Sequence, residues 1–255
     1  MCIVNFHYKD HPKYELIVIS NRDEFYERPT APAHFWEDHP YLLAGRDLEA
    51  MGTWLGITKN GRFATLTNIR DLSKPQKNYK TSRGEIVTNF LTSETSPEEY
   101  VEHLAKRSHL YDGFNIIVGD ETGLYYLNNV ENRPTKIEQG THSLSNEFLN
   151  SKWPKVIKGR NNLRNYVTNN EKIEFEDLFS IGLDDEIAPD EQLPKTGVPL
   201  ELERKLSSLF IRTENYGTRT ITVFTIDYDK NVQFKEHTFT NGKFTSEISY
   251  SFSIK

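Results

Sequence analysis

Cys2 is the only cysteine among 255 residues, and its place directly after Met1 gives it a chemistry that no internal cysteine has. Removal of the initiator methionine, expected before so small a residue, puts a thiol and a free α-amino group on one residue. That amine has an ordinary pKa of about 7.7–8.0 and can act as the thiol's own base, with no histidine partner. The competing reading of Cys2 is a small apolar residue that opens a β-strand. The second candidate is Asn21-Arg22-Asp23-Glu24, directly behind the apolar run Tyr14–Ile19. Chain reversal at a strand end brings this tetrapeptide beside the start of the neighbouring strand, and so near Cys2. There Arg22 can hold a thiolate or a substrate carboxylate with two parallel hydrogen bonds while Asp23 orients the amine. A solvated turn with a local ion pair is the alternative.

An amide attacked by Cys2 also needs donors for the oxyanion that develops. Asn68, in Asn68-Ile69-Arg70-Asp71, and Asn146, in Leu144-Ser145-Asn146, stand at the ends of strand-like segments, where a side-chain amide suits that role. Each equally suits a cap or turn. Arg219, in Tyr216-Gly217-Thr218-Arg219, is expected to share a strand face with Ile221 and Val223, where it needs an anionic partner, structural or substrate. Arg46-Asp47 is a weaker charged pair of the same kind. His34 and His39, with Glu37 and Asp38 between them, offer metal-ligand types, but in a loop that reads as solvent-exposed. The sequence contains no HExxH, CxxCH, GxxxxGK[ST], GxGxxG or GxSxG motif, so the corresponding zinc, haem, nucleotide and serine-hydrolase signatures are absent.

The elements that must position these residues are strand-rich at both ends. Cys2 to Tyr8 and Tyr14 to Ile19 read as a hairpin turning over Lys9–Lys13. Trp54–Thr58 and Phe63–Ile69 form a second hairpin, turning at Asn60-Gly61, where both positions tolerate positive φ. Phe114–Val118 and Leu124–Leu127 form a third. Ser82-Arg83-Gly84-Glu85 and Ser96-Pro97-Glu98-Glu99 read as capping boxes opening helices, with Pro97 well placed at the first helical position. A further helix from about Lys152 is expected to bury Trp153, Val156, Ile157, Leu163 and Val167, and Leu202, Leu206, Leu209 and Phe210 mark another stripe. Glu171 to Glu191 holds nine acids and one lysine and reads as an acidic loop or helical insertion, around 171–199, within a single domain spanning 1–255. Three strands follow, at Thr218–Asp227, Val232–Phe239 and Phe244–Ile254. Strands at both ends with helices between them indicate an α+β fold of antiparallel sheets.

Composition narrows the class. With 37 acids against 31 bases and a net charge of −6, the chain lacks the basic stripe of a nucleic-acid binder. One cysteine rules out a disulfide framework and a zinc site built on cysteine pairs. There is no secretory leader and no run of about eighteen apolar residues, so a cytoplasmic protein is expected.

The ordered blocks Met1-Cys2-Ile3, Asn21-Arg22-Asp23-Glu24-Phe25, Arg28-Pro29-Thr30, Gly45-Arg46-Asp47 and Gly52-Thr53-Trp54-Leu55-Gly56 resemble the NRDE protein family, also called the transport and Golgi organisation protein 2 family. Thr67-Asn68-Ile69-Arg70, Ser82-Arg83-Gly84, Gly113-Phe114-Asn115, Leu144-Ser145-Asn146, Trp153-Pro154-Lys155, Leu193-Pro194-Lys195-Thr196-Gly197 and Tyr216-Gly217-Thr218-Arg219 continue the match in order. The resemblance implies an N-terminal-nucleophile (Ntn) hydrolase-like fold, a four-layer αββα sandwich of two antiparallel sheets flanked by helices. It also implies a kinship with choloylglycine hydrolases and penicillin V acylases, in which an N-terminal cysteine attacks an amide carbonyl. Cys2 and Arg22 match that pattern, and Asn68, Asn146 and Arg219 correspond to the hydrolases' active-site asparagines and distal arginine. Asp23 departs from it: those hydrolases place the aspartate three residues beyond the arginine, where this sequence has Phe25. Two functions follow as expectations. One is an amidohydrolase or acyltransferase for a small amide or acyl substrate, requiring no cofactor. The other is a non-catalytic carrier of haem, acyl-coenzyme A or lipid, in keeping with the family's links to haem handling and acyl-lipid metabolism. For haem, thirteen tyrosines and eight histidines offer axial ligands.

Overall fold

The computed structural model describes residues 2–70 and 81–255; Met1 and Asp71, both named above, lie outside them. Strands β1 (Cys2–Tyr8), β2 (Tyr14–Phe25), β3 (Thr30–Phe35), β4 (Leu42–Asp47), β5 (Leu55–Thr58) and β6 (Phe63–Asn68) come first. Helices α1 (Gly84–Leu91) and α2 (Pro97–Arg107) follow, then β7 (Phe114–Asp120), β8 (Gly123–Asn128), β9 (Thr135–Lys136) and β10 (Gly140–Leu144). Helices α3 (Pro154–Asn169), α4 (Phe175–Gly182) and α5 (Leu200–Leu206) precede β11 (Tyr216–Asp227), β12 (Asn231–Thr240) and β13 (Lys243–Ser253). The expected α+β class with antiparallel sheets is what forms. Among the described residues, no helix is long and apolar enough to cross a membrane.

The chain divides into two compact units. The first contains β1, β2, Arg70 and the chain from Gln139 to Phe252. Its six-stranded sheet has the order β10-β1-β2-β11-β12-β13. The continuous apolar run Leu16–Ile19 explains why β2 lies inside the sheet: a strand flanked on both sides and buried on both faces needs no alternation. Helix α3 packs on β1 and β10, and α4 on β2 and β11. Ile17, Ile19, Leu163, Leu178, Phe179, Ile221 and Val223 close the core between them, each side chain contributing about 1.5–3 kcal/mol when fully buried. Gly159 of α3 permits the close approach, since a Cβ there would lie 2.4 Å from the Asn5 side-chain oxygen of β1. A buried ion pair reinforces this unit. Arg70 Nη2 donates to Glu203 Oε2 of α5 at 2.7 Å, and Glu203 Oε1 also accepts from the Thr196 amide at 3.2 Å and from the Thr196 hydroxyl.

The second unit runs from Arg28 to Ile69, takes in the described chain from Thr81 to Glu138, and ends with Ser253–Lys255. Its seven strands follow one another in the order β3 to β9. Helices α1 and α2 cover β5 to β8 over a core that includes Trp36, Phe90, Phe114, Ile116 and Leu127. Two charged motifs are structural here. Arg28 binds Asp47 at 2.5 Å. Arg46 makes two bonds to Asp38, at 2.9 and 2.7 Å, while lying 4.0 Å over the Trp36 ring.

Several local expectations are corrected. Asn21-Arg22-Asp23-Glu24 does not follow β2 but belongs to it, because β11 pairs with β2 as far as Phe25 and so prolongs the strand. The Ser96 cap forms, with its Oγ accepting from the Glu99 amide at 3.3 Å. The Ser82 cap does not: Arg83 occupies the N-cap position and Glu85 instead accepts from the Tyr111 hydroxyl at 2.8 Å. At Asn60-Gly61 only Gly61 has positive φ, +81°, because the loop spans three residues between Thr58 and Arg62 and needs one left-handed position. The stripe at 202–210 is helical only to Leu206.

Two substitutions test these packing arguments. A Cβ on Gly52 would lie 2.7 Å from the Gly84 carbonyl carbon, backbone that cannot swing aside, so Gly52→Ala is expected to cost about 1–3 kcal/mol. Glu203→Ala removes the buried carboxylate paired with the Arg70 guanidinium and is expected to cost about 3–5 kcal/mol. Urea unfolding midpoints measure both, and values within error of wild type would refute the packing argument in either case.

Candidate active site

Antiparallel pairing sets the site. Cys2 opens β1 opposite Arg22, and Arg22 lies opposite Thr220 of β11, while Asp23 lies opposite Thr218. Register partners share a sheet face and neighbours along a strand take opposite faces. Arg22 and Thr220 therefore lie on the Cys2 face, and Asp23 lies on the face of Asn21. The Asn21 side-chain amide donates to the carbonyls of Gly182, at the end of α4, and Leu209, at 2.8 and 2.9 Å. Asn21 is thus a strut between β2 and the covering segments.

Asp23 is 1% exposed. Its Oδ1 accepts from the Thr218 hydroxyl at 2.7 Å, and its backbone carbonyl accepts from the Tyr216 hydroxyl at 2.8 Å. Glu24 turns back on its own strand, where its Oε1 accepts from the Phe25 amide at 2.9 Å. Of the two acids, only Asp23 is fastened at the buried end of the strand pair. Arg219 does not join the face of Ile221 and Val223. The β2–β11 register steps from Thr218 to Thr220, a bulge that takes Arg219 out of the alternation, and its guanidinium donates to the Phe25 carbonyl at 2.8 Å.

Asn146 comes to Cys2 from the other side. Strand β10 pairs with β1 with Leu144 opposite Val4 and ends there, and the bend that follows carries Ser145 and Asn146. Ser145 ties the two together: its hydroxyl lies 3.0 Å from the Cys2 carbonyl oxygen and 3.1 Å from Asn146 Oδ1. Ser145 and Asn146 are both fully buried, and the Asn146 carbonyl accepts from the Arg70 amide at 2.8 Å. Asn68 belongs to the second unit, where it pairs with Phe114.

The sequence offers Lys155 only as part of the block Trp153-Pro154-Lys155, with no role of its own, and places Ile157 in the core, yet Ile157 is 38% exposed and Lys155 is 1% exposed. The helical phase accounts for this: Lys155, Gly159, Leu163 and Val167 recur every four residues along the buried stripe of α3. A search for apolar spacing skips a lysine, although the phase itself points to it. Lys155 Nζ has no hydrogen-bond partner among the described residues. Arg70, whose guanidinium lies 4.8 Å from the Trp153 ring centre, is the other basic group acting on it.

The electrostatics follow from burial. Desolvation pushes the Cys2 thiol above its ordinary pKa, while a hydrogen bond from the Asp23 backbone works the other way. Burial also raises the Asp23 carboxyl, opposed most strongly by the Lys155 charge. Lys155 is pushed down by burial to about 8, with Asp23 the strongest opposing influence. Tyr216 is held protonated by burial, reinforced by Asp23 and Cys2. Cys2 is half-buried, and a thiol with a raised pKa is a poor nucleophile until a nearby base takes its proton. Among the described residues, no group of three or more His, Cys, Asp or Glu side chains is arranged to hold a metal ion.

Comparison with solved structures gives the fold its place. A Caenorhabditis elegans ortholog of N-acylethanolamine-hydrolyzing acid amidase aligns with a TM-score of 0.50 at 11% identity, covering 88% of this chain and 92% of its own. A conjugated bile acid hydrolase from Clostridium perfringens aligns with a TM-score of 0.53, also at 11% identity, over 100% of this chain and 92% of its own. The fold is of the Ntn-hydrolase type. Closer relatives appear in sequence. The human Transport and Golgi organization protein 2 homolog is 34% identical over 92% of each chain, and Transport and Golgi organization protein 2 of Drosophila melanogaster is 29% identical over 94% of this chain and 93% of its own. With the family model also matching residues 1–241, this chain belongs to the Transport and Golgi organisation 2 family.

Proposed function

We propose that this chain is an N-terminal-nucleophile amidohydrolase or acyltransferase acting on a small acyl amide. The observation that carries the reading is the pairing of Cys2 with Arg22 at the start of β1, beside an Asp23 fastened by Thr218. After Met1 is removed, the Cys2 α-amine takes the thiol proton and Sγ attacks the amide carbonyl carbon. The carbonyl π electrons move onto oxygen, and the Asn146 side-chain amide, linked to Cys2 through Ser145, donates to that oxyanion. Collapse expels the amine, which leaves with the proton held by the α-ammonium, and a thioester remains on Cys2. Water completes hydrolysis, while an acceptor amine or alcohol completes transfer. Arg22 shares the Cys2 face and serves the thiolate or a substrate carboxylate, and Arg219, fixed to the Phe25 carbonyl, borders the same strand end. Asp23 orients the amine. Of the two asparagines offered by the family resemblance, Asn146 is assigned the donor role because Ser145 links it to Cys2 within one compact unit. The names of the two structural neighbours, an N-acylethanolamine-hydrolyzing amidase and a conjugated bile acid hydrolase, support an acyl group as the part to be recognised. The step draws on no cofactor.

Intact-mass analysis of protein made in cells is expected to show a chain shortened by Met1, and a panel of N-acyl amides is expected to be cleaved. Cys2→Ala should lower kcat by at least about 10³-fold. Uniform retention of Met1, or an undiminished rate in Cys2→Ala, would falsify the reading.

The thiol makes a separate prediction. Because burial opposes the charged form, thiolate appears only at higher pH than for an exposed cysteine. Iodoacetamide alkylation of a Met1-retaining form should therefore rise with an inflection above the ordinary value of about 8.5. A Met1-free form should react with a lower inflection, because a neighbouring ammonium favours the thiolate. Identical profiles for the two forms would rule out coupling between thiol and amine.

A further inference from the structure

Lys155 has no task in the reaction as written, and its environment is costly. A lysine is almost never fully buried without a partner, and an unbonded buried ammonium loses its hydration with no hydrogen bond in return. Lys155 stands in the first turn of α3, which packs on β1, at 1% exposure and with no hydrogen-bond partner for Nζ among the described residues. A lysine kept as a strut would be bonded. We propose that Lys155 is a positioning residue, the counter-ion that keeps Asp23 a carboxylate beneath Cys2 while limiting how strongly that carboxylate holds the Cys2 amine.

Gly159 rests on Asn5, and the carbonyl of Asn170 at the far end of α3 meets His11 just beyond Tyr8. Lys155, one turn before Gly159, therefore lies toward the Cys2 end of β1, on the sheet face that Asn5 shares with Ile19, Asn21 and Asp23. The charge distribution agrees with this placement. Among the described residues, the groups acting on Asp23 are Lys155 of α3, Thr218 and Tyr216 of β11 and Arg22 on its own strand; among the side chains, Lys155 opposes its protonation most strongly. The groups acting on Lys155 are Asp23, Arg70, Cys2 and Glu203, with Asp23 the strongest of those favouring its charge. Arg70 is bound to Glu203 at 2.7 Å. A lone buried carboxylate would hold the α-amine as an ammonium well above neutral pH and deprive it of its role as base. The positive charge of Lys155 offsets that pull.

The inference rests on the proposed role of Asp23, but its test needs no turnover. In full-length protein labelled with 13C at aspartate Cγ, the Asp23 resonance is assigned by its loss in Asp23→Asn and followed from acid to alkaline pH. In wild type, the carboxyl should titrate at acid pH and show a second inflection near pH 8, where Lys155 loses its proton. Lys155→Gln and Lys155→Met should raise the Asp23 pKa by about one unit or more, a tenfold gain in proton affinity, and Lys155→Arg should restore most of the shift. A wild-type Asp23 resonance with no second inflection overturns the proposal without any variant having to fold. So does an Asp23 titration unchanged in Lys155→Gln, or one displaced as far in Lys155→Arg as in Lys155→Met. If the couplings appear in a protein that cleaves no amide, the charge pairing stands and the enzymatic reading falls.

Discussion

The pairing of β2 with β1 on one side and β11 on the other is the constraint on which the site depends. A strand flanked on both sides cannot slip by one residue without turning every core side chain to the wrong face, and Ile17 and Ile19 hold it in register against α3 and α4. That register fixes Arg22 opposite Cys2 and Asp23 opposite Thr218. Because β11 extends the pairing to Phe25, the charged tetrapeptide is held as strand and is buried from Asn21 to Asp23. Flexible turn residues could not keep an acid and a base on opposite faces of one backbone; a paired strand does so by geometry alone.

Burial then separates the charged motifs by use. In the second unit, Arg28 with Asp47 and Arg46 with Asp38 and Trp36 form closed contacts that tie loops to strands. In the first unit, two cations and two carboxylates, Lys155, Arg70, Asp23 and Glu203, lie buried within one cluster beside Cys2. Replacing such groups with apolar ones of similar volume is often neutral or stabilising, so stability alone is a weak reason to keep all four. Arg70 and Glu203 pair with each other, whereas Lys155 Nζ has no hydrogen-bond partner among the described residues.

Legibility in the sequence followed the range of the interaction. The hairpins, the Ser96 cap and the strand-rich ends are local, and period and turn chemistry gave them directly. Cys2 and the Asn21–Glu24 block stood out because of position and composition. The continuation of the strand through that block was hidden, because it depends on β11, nearly two hundred residues further along. The bulge that removes Arg219 from its expected face is a property of two paired strands, and one strand read alone shows no sign of it. Ser82 reads as well as Ser96 for a cap, but the hydroxyl of Tyr111 takes the Glu85 carboxylate that the box required. Lys155 was missed for a different reason. Its phase along α3 was readable, but a rule that expects apolar residues on the buried stripe discards the one position where the exception carries the chemistry.

The thiol, the carboxylate and the lysine are best understood as one balance of protons. Burial alone makes Cys2 harder to ionise, Asp23 easier to protonate and Lys155 easier to deprotonate, so each group by itself drifts toward its neutral form. A neutral cluster has nothing with which to attract or orient an amine. Setting Lys155 near Asp23 reverses that drift for both, since each opposite charge favours the ionised form of the other. In the proposed reaction, the α-amine freed by loss of Met1 would meet a carboxylate already balanced by a cation. Its own proton affinity can stay near the ordinary range of about 7.7–8.0, where an amine both accepts a thiol proton and gives it up to a leaving group. On the proposed mechanism, it is the lysine, working against burial, that would keep this base matched to neutral pH.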